Sequence, residues 1–104
     1  MFFDMFTRKD INKGVEEWKE TNGAILLDVR TKQEYNDGHI DGSVNIPLDS
    51  IDNIDKKIPN RNTPIFVHCL SGARSSSAVR LLNSIGYTNV KDIGGISTYR
   101  GKTV

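Results

Sequence analysis

Two short apolar runs constrain the fold of this chain most. Ala24-Ile25-Leu26-Leu27 closes on Asp28-Val29, and Ile65-Phe66-Val67 leads into His68-Cys69. Neither run alternates apolar with polar residues. A strand that is apolar at every position must be covered on both faces, as strands inside a parallel sheet are. Parallel strands need crossover connections, and the remaining sequence supplies helical segments for them. Asp10 is a candidate N-cap for a helix carrying Ile11, Val15 and Trp18 at helical spacing, with Thr21-Asn22-Gly23 ending it and Gly23 as the left-handed cap. Thr31 and Glu34 stand at capping-box spacing for a short helix through Tyr35, which Asp37-Gly38 stops.

The rest of the chain continues this alternation. Val44-Asn45-Ile46 reads as a short strand ended by Pro47, and Leu48, Ile51 and Ile54 as a helix or helical turn up to Pro59. A helix is expected from about Ser75 to Ser84, with Gly86 as its C-cap, then a last strand Val90 to Ile93 broken by Gly94-Gly95. Ile96 to Arg100 forms a final helical turn, and Phe2 to Phe6 a first short strand. The fold class is α/β: a four- to five-stranded, mostly parallel sheet flanked by helices on both faces. Sites in such sheets lie at the carboxyl ends of the strands. Asp28, Cys69 and Gly94-Gly95 all end strands, so they are expected to converge at one edge.

Composition narrows the function. A chain of 104 residues reads as one domain, 1–104. Fourteen basic residues against 13 acidic ones, with no basic block, argue against nucleic acid as a partner. The single cysteine forms no disulfide within the chain. Met1 to Phe6 is short, interrupted by Asp4, and lacks the basic start of a signal peptide. No apolar run approaches the ~20 residues that span a bilayer. The expectation is a cytoplasmic monomer away from membranes, in a reducing compartment where a lone thiol stays available.

That thiol stands where chemistry is expected. Cys69 follows three β-formers, and a loop with one glycine, then Arg74 and Ser75, leads into helical sequence. A strand end facing a helix start leaves backbone N–H groups without partners, and anions bind there. A thiolate is such an anion.

Several pieces in order resemble one family. They are Asp28-Val29-Arg30, Glu34-Tyr35, Gly38-His39-Ile40-Asp41-Gly42-Ser43-Val44-Asn45-Ile46-Pro47, the loop from Cys69 to Arg74 with Ser75, and Gly94-Gly95-Ile96. Together they are similar to the single-domain rhodaneses, a sulfurtransferase family, over nearly the whole chain. The departure is Tyr99, where the family often carries tryptophan, a change of packing and not of chemistry. The resemblance implies that Cys69 is the nucleophile. It would take the outer sulfur of thiosulfate or a similar donor as a persulfide and pass it to cyanide or a thiol. Leu70, Ser71, Gly72, Ala73, Arg74 and Ser75 would form the substrate-binding loop, with Asp28 and Arg30 as a supporting pair. Inward N–H groups, the helix N-terminus and Arg74 would lower the thiol pKa into a range of roughly 3.5–7.5. No cofactor is implied, and a persulfide-exchange protein would be a compatible partner.

Other readings stay open at this stage. A non-catalytic or redox-sensing binding module would carry the same thiol. Cysteine phosphatases and arsenate reductases of the related fold resemble His-Cys-five residues-Arg, but only four residues separate Cys69 from Arg74 here. That shorter cradle suits a sulfur atom better than a tetrahedral oxyanion. Arg74 either contacts the donor or pairs with Asp28 or Glu34. Ser71, Ser75 and Ser76 either donate to a bound anion or, for Ser75, cap the helix. His68 and His39 are expected to bond backbone groups, and two histidines with one cysteine supply no metal-ligand spacing.

Overall fold

The computed structural model describes residues 9–104, so the strand expected at Phe2 to Phe6 lies outside the described residues. Four strands, β1 (Ile25–Asp28), β2 (Val44–Asn45), β3 (Ile65–Cys69) and β4 (Val90–Gly95), form one sheet in the order β2-β1-β3-β4. All three pairings are parallel. The helices are α1 (Ile11–Glu20), α2 (Lys32–Asp37) and α3 (Ala73–Ser84), joined by 3-10 helices over Leu48–Lys56 and Ile96–Thr98. No described helix is long and apolar enough to cross a membrane.

The two-residue period of a strand sorts the core into two layers. Leu27 of β1 and Ile65, Val67 and Cys69 of β3 face α3 and the longer 3-10 helix, among Ile51, Ile54, Ala78, Leu82 and Tyr87. Leu26 and Phe66 face the other way, against Ile11 and Val15 of α1 and Ile93 of β4. α1 lies very close to the sheet because residue 14 is glycine: a Cβ there would sit 2.4 Å from Ile93 Cβ. The unbroken apolar runs of β1 and β3 are what two covered faces require.

Local signals explain the helix ends. Asp10 caps α1 by accepting from Asn12 N. Thr31 and Glu34 form the full capping box of α2. Three expectations are corrected. The C-cap of α1 is Thr21, and Gly23, with φ of 75°, serves the turn into β1 instead. The double glycine does not break the last strand. Both residues belong to β4, with a register irregularity opposite Val67 and His68, and Gly94 N donates a hydrogen bond to Asp92 Oδ1. Helix α3 begins at Ala73, two residues before Ser75, because Gly72 turns the chain at φ 111° and is itself the N-cap.

Two ion pairs fasten the carboxyl edge of the sheet. Asp28, fully buried, accepts from Arg30 N, Nε and Nη2 at 2.8–3.1 Å, and Arg30 Nη2 also donates to Gly38 O. Asn45 Nδ2 donates to the carbonyls of Asp28 and Arg30, tying β2 to the same corner. Glu34 of α2 accepts from both terminal nitrogens of Arg74 at 2.7 and 3.0 Å. Arg74's bonds, with those from Thr31, hold the Glu34 carboxyl down to about 2.

Two outcomes follow from these pairs. Asp28→Ala leaves a buried guanidinium without its partner and should lower the unfolding free energy by roughly 3–5 kcal/mol in a urea melt. Glu34 has a folded-state pKa below its unfolded one. Its contribution is therefore present above the ordinary carboxyl range and lost as pH falls through about 2. In an acid titration followed by circular dichroism, Glu34→Gln should show a shallower loss of stability than wild type below the ordinary carboxyl range.

Candidate functional site

Cys69 is the last residue of β3, and only three residues separate it from α3. Its Sγ is turned toward α3, so the sulfur sits under the first turn of that helix. Gly72 N donates to Sγ at 3.0 Å. The backbone N–H groups of Ser71 and Ser75 also act to lower its pKa. Ser75 Oγ lies 3.5 Å from Sγ and donates to Gly72 O at 3.1 Å. The thiol can donate to this hydroxyl, and a thiolate can accept from it after a turn of the O–H. Ser75 is therefore a first-turn residue beside the sulfur; the N-cap reading does not hold.

Burial pushes the Cys69 thiol up, but the Ser75 hydroxyl and the three backbone N–H groups outweigh it, and the thiol lies below its ordinary value. The physical cause is one anion-sized space faced by several N–H donors at a helix start. Cys69 is 1% exposed. The sulfur is therefore almost wholly covered by its own surroundings.

The loop is held from behind by β4. Leu70 O accepts from Ser97 N at 3.0 Å. A Cβ on Gly95 would fall 2.2 Å from Leu70 O and 2.6 Å from Ser71 Cα, so only glycine lets the strand back onto the loop. A groove of about 420 Å³ opens beside this contact, lined by Ser71, Gly72, Ser76, Gly95 and Ser97 among others. Leu70, Ser71 and Ala73 form the exposed side of the loop.

The remaining expected residues are placed as follows. Arg74 pairs with Glu34, not Asp28. Asp28 and Arg30 pair with each other below the edge. His68 follows the strand alternation onto the sheet face opposite Cys69. Its Nδ1 is 3.1 Å from Cys69 O, and its Nε2 is 3.7 Å from Asp28 Oδ2 without a hydrogen bond. Burial lowers its pKa, against the opposing pull of Asp28. His39 Nδ1 sits 2.8 Å from Tyr35 O, and its ring stacks on Tyr35. Among the described residues no group of three or more metal-ligating side chains forms. Sequence reasoning missed Asn45 as the clamp on Asp28 and Arg30; its one signal was a polar residue inside an apolar strand.

Residues 10–102 match the family model described as Rhodanese-like domain. The chain is 35% identical over 71 residues to thiosulfate sulfurtransferase PspE of Escherichia coli, covering 67% of this chain and 68% of that one. It is 38% identical over 92 residues to adenylyltransferase and sulfurtransferase uba4 of Ogataea parapolymorpha, covering 88% of this chain. It spans only 24% of that relative's length. Among solved structures it superposes on a rhodanese with anions from E. coli with a TM-score of 0.71 at 32% identity, covering 78% of this chain and 96% of that one. A solution structure of a rhodanese-like domain from Anabaena gives a TM-score of 0.75 at 28% identity, covering 94% and 80%. A four-stranded parallel sheet, a cysteine at the end of its third strand and these matches agree: the chain belongs to the rhodanese-like sulfurtransferase family.

Proposed function

We propose that the domain carries sulfane sulfur as a persulfide on Cys69, taken from thiosulfate or a similar donor and given to cyanide or a thiol. The observation that carries this reading is the surroundings of Sγ at the start of α3: Gly72 N donates to it at 3.0 Å and the Ser75 hydroxyl lies 3.5 Å away. They favour an anionic sulfur in the resting site. The same donors suit the terminal sulfur of a persulfide, which also carries negative charge. In the first half-reaction the thiolate attacks the outer sulfur of the donor, the donor's bond to that sulfur breaks, and the leaving group departs with the electron pair. In the second half-reaction an acceptor nucleophile attacks the outer sulfur and the Cys69 thiolate leaves. A ping-pong pattern follows.

Leu70, Ser71, Gly72, Ala73, Arg74 and Ser75 are the loop that positions the donor. Asp28 and Arg30 support the strand ends beneath it. The loop between Cys69 and Arg74 holds four residues, which argues against a tetrahedral phosphate or arsenate in the cradle. A thiol with these donors belongs in a reducing compartment, and the proposal places the domain in the cytoplasm with a thiol or a sulfur-accepting protein as partner.

Intact mass spectrometry tests the reading directly. The reduced protein incubated with a sulfane donor should gain one sulfur, Cys69→Ser should gain none, and cyanide or a thiol should remove it. Failure to gain sulfur from any donor would sink the proposal. The pH dependence of alkylation by iodoacetamide should show a midpoint below the ordinary thiol value, since thiolate is the reacting form. Ser75→Ala removes the hydroxyl donor and should move that midpoint upward; an unchanged midpoint would assign the lowering to the backbone alone.

A further inference from the structure

Strand β3 is buried along its whole length, and Ile65, Phe66, Val67 and Cys69 suit that burial. His68 does not. Its ring is fully covered, on the sheet face opposite the sulfur. A polar ring loses its water there, and an apolar side chain would fill the space without that loss. A histidine in this place is accounted for by a bond that an apolar residue could not make.

That bond runs from Nδ1 to Cys69 O, at 3.1 Å. A carbonyl only accepts, so Nδ1 carries the proton of the neutral ring and Nε2 is bare. Bare Nε2 has no hydrogen-bond partner and stands 3.7 Å from Asp28 Oδ2. Asp28 and Arg30 are the charged groups that act on the ring among the described residues, and they oppose each other. Asp28 favours a second proton, but its oxygens already accept from Arg30, whose own charge disfavours one. Burial adds to Arg30's effect, and the ring stays neutral at neutral pH. His68 therefore lends the site no charge. It acts through one donated bond.

The bond falls where the sheet is irregular. Val67 pairs with Asp92 of β4, but His68 pairs with Gly94, so the ladder slips by one residue at the end of β3. A slip of this kind disturbs the backbone bonds around it. The Cys69 carbonyl receives a side-chain donor at that point. The Cys69–Leu70 peptide is trans and planar, so a hold on its oxygen also fixes the direction of Leu70 N–H. The next carbonyl, Leu70 O, accepts from Ser97 N at 3.0 Å. Two successive peptide planes are thus held before the chain reaches Gly72, whose N–H meets Sγ at 3.0 Å.

We propose that His68 is a positioning residue for the chemistry of Cys69: its Nδ1–H holds the Cys69 carbonyl from the far face of the sheet and so sets the plane from which the loop presents Gly72 N–H to the sulfur. This rests on Cys69 as the reacting thiolate. The test reads that thiolate with no sulfur donor present, so its failure is distinct from a failure to gain sulfur.

The experiment measures the pH midpoint of Cys69 alkylation by iodoacetamide in three proteins. His68→Phe keeps a ring and removes both nitrogens. It should raise the midpoint by roughly half to one pH unit, the size of one hydrogen bond. His68→Asn places an amide N–H near the position of Nδ1 and should bring the midpoint most of the way back to wild type. A role in packing alone would change the urea melt of either variant and leave the midpoint where it was. A folded His68→Phe with the wild-type midpoint would overturn the proposal. So would a folded His68→Asn displaced as far as His68→Phe, because restoring the donor would then restore nothing. Where His68→Phe does not fold, nitrogen NMR of the wild-type ring decides. The proton should sit on Nδ1 at neutral pH, with Nε2 bare. A proton on Nε2 would overturn the proposal, since a bare Nδ1 has nothing to donate.

Discussion

The buried carboxylate of Asp28 is the interaction on which the edge of this sheet depends. It ends β1, accepts from three nitrogens of Arg30, and through Arg30 reaches the carbonyl of Gly38 at the end of α2. The backbone carbonyl of the same residue takes Ile46 N and Asn45 Nδ2. One residue therefore fixes where β1 stops, how β2 sits beside it and where the loop after α2 returns. A charge so deep is tolerable only because its partner is equally deep and well bonded. Next to it β3 runs on to Cys69, and Val29 N donates to His68 O, so the position of the sulfur inherits the rigidity of the corner.

The second constraint comes from the opposite side. The cysteine loop is short, and its outer carbonyl at Leu70 is received by Ser97 N and by the bare backbone of Gly95. A loop pressed between a strand and a helix start has few conformations left. Within it Gly72 N points inward and meets the sulfur. β4 thus holds in place the loop whose N–H groups, with the Ser75 hydroxyl, lower the thiol pKa.

Much of this was legible in the sequence because it is written in local patterns. The unbroken apolar runs pointed to parallel strands, Thr31 and Glu34 to a capping box, and the order strand, cysteine, glycine, helix marked the candidate site. What was not legible depended on pairs distant in sequence. That Arg74 meets Glu34, 40 residues away, and not Asp28, is set by where α2 docks. The start of α3 at Ala73 was missed because Ala73, Arg74 and Ser75 carry no apolar period, while Gly72 in a left-handed conformation suffices to begin the helix. The double glycine read as a strand breaker, since glycine weakens strands in general. Here it is kept in the strand because the neighbouring loop leaves no space for a side chain.

The chain's single cysteine has a further consequence for how the domain would behave over time. Many thiol proteins clear a modified sulfur with a second cysteine of their own, forming an internal disulfide. This chain has no second thiol to do so, and its one sulfur is roofed by its own loop. If Cys69 accepts a sulfur, the occupied state ends only when another molecule comes to collect it. The domain would then act as a one-place store with no internal release, and its turnover would be timed by the arrival of the collector.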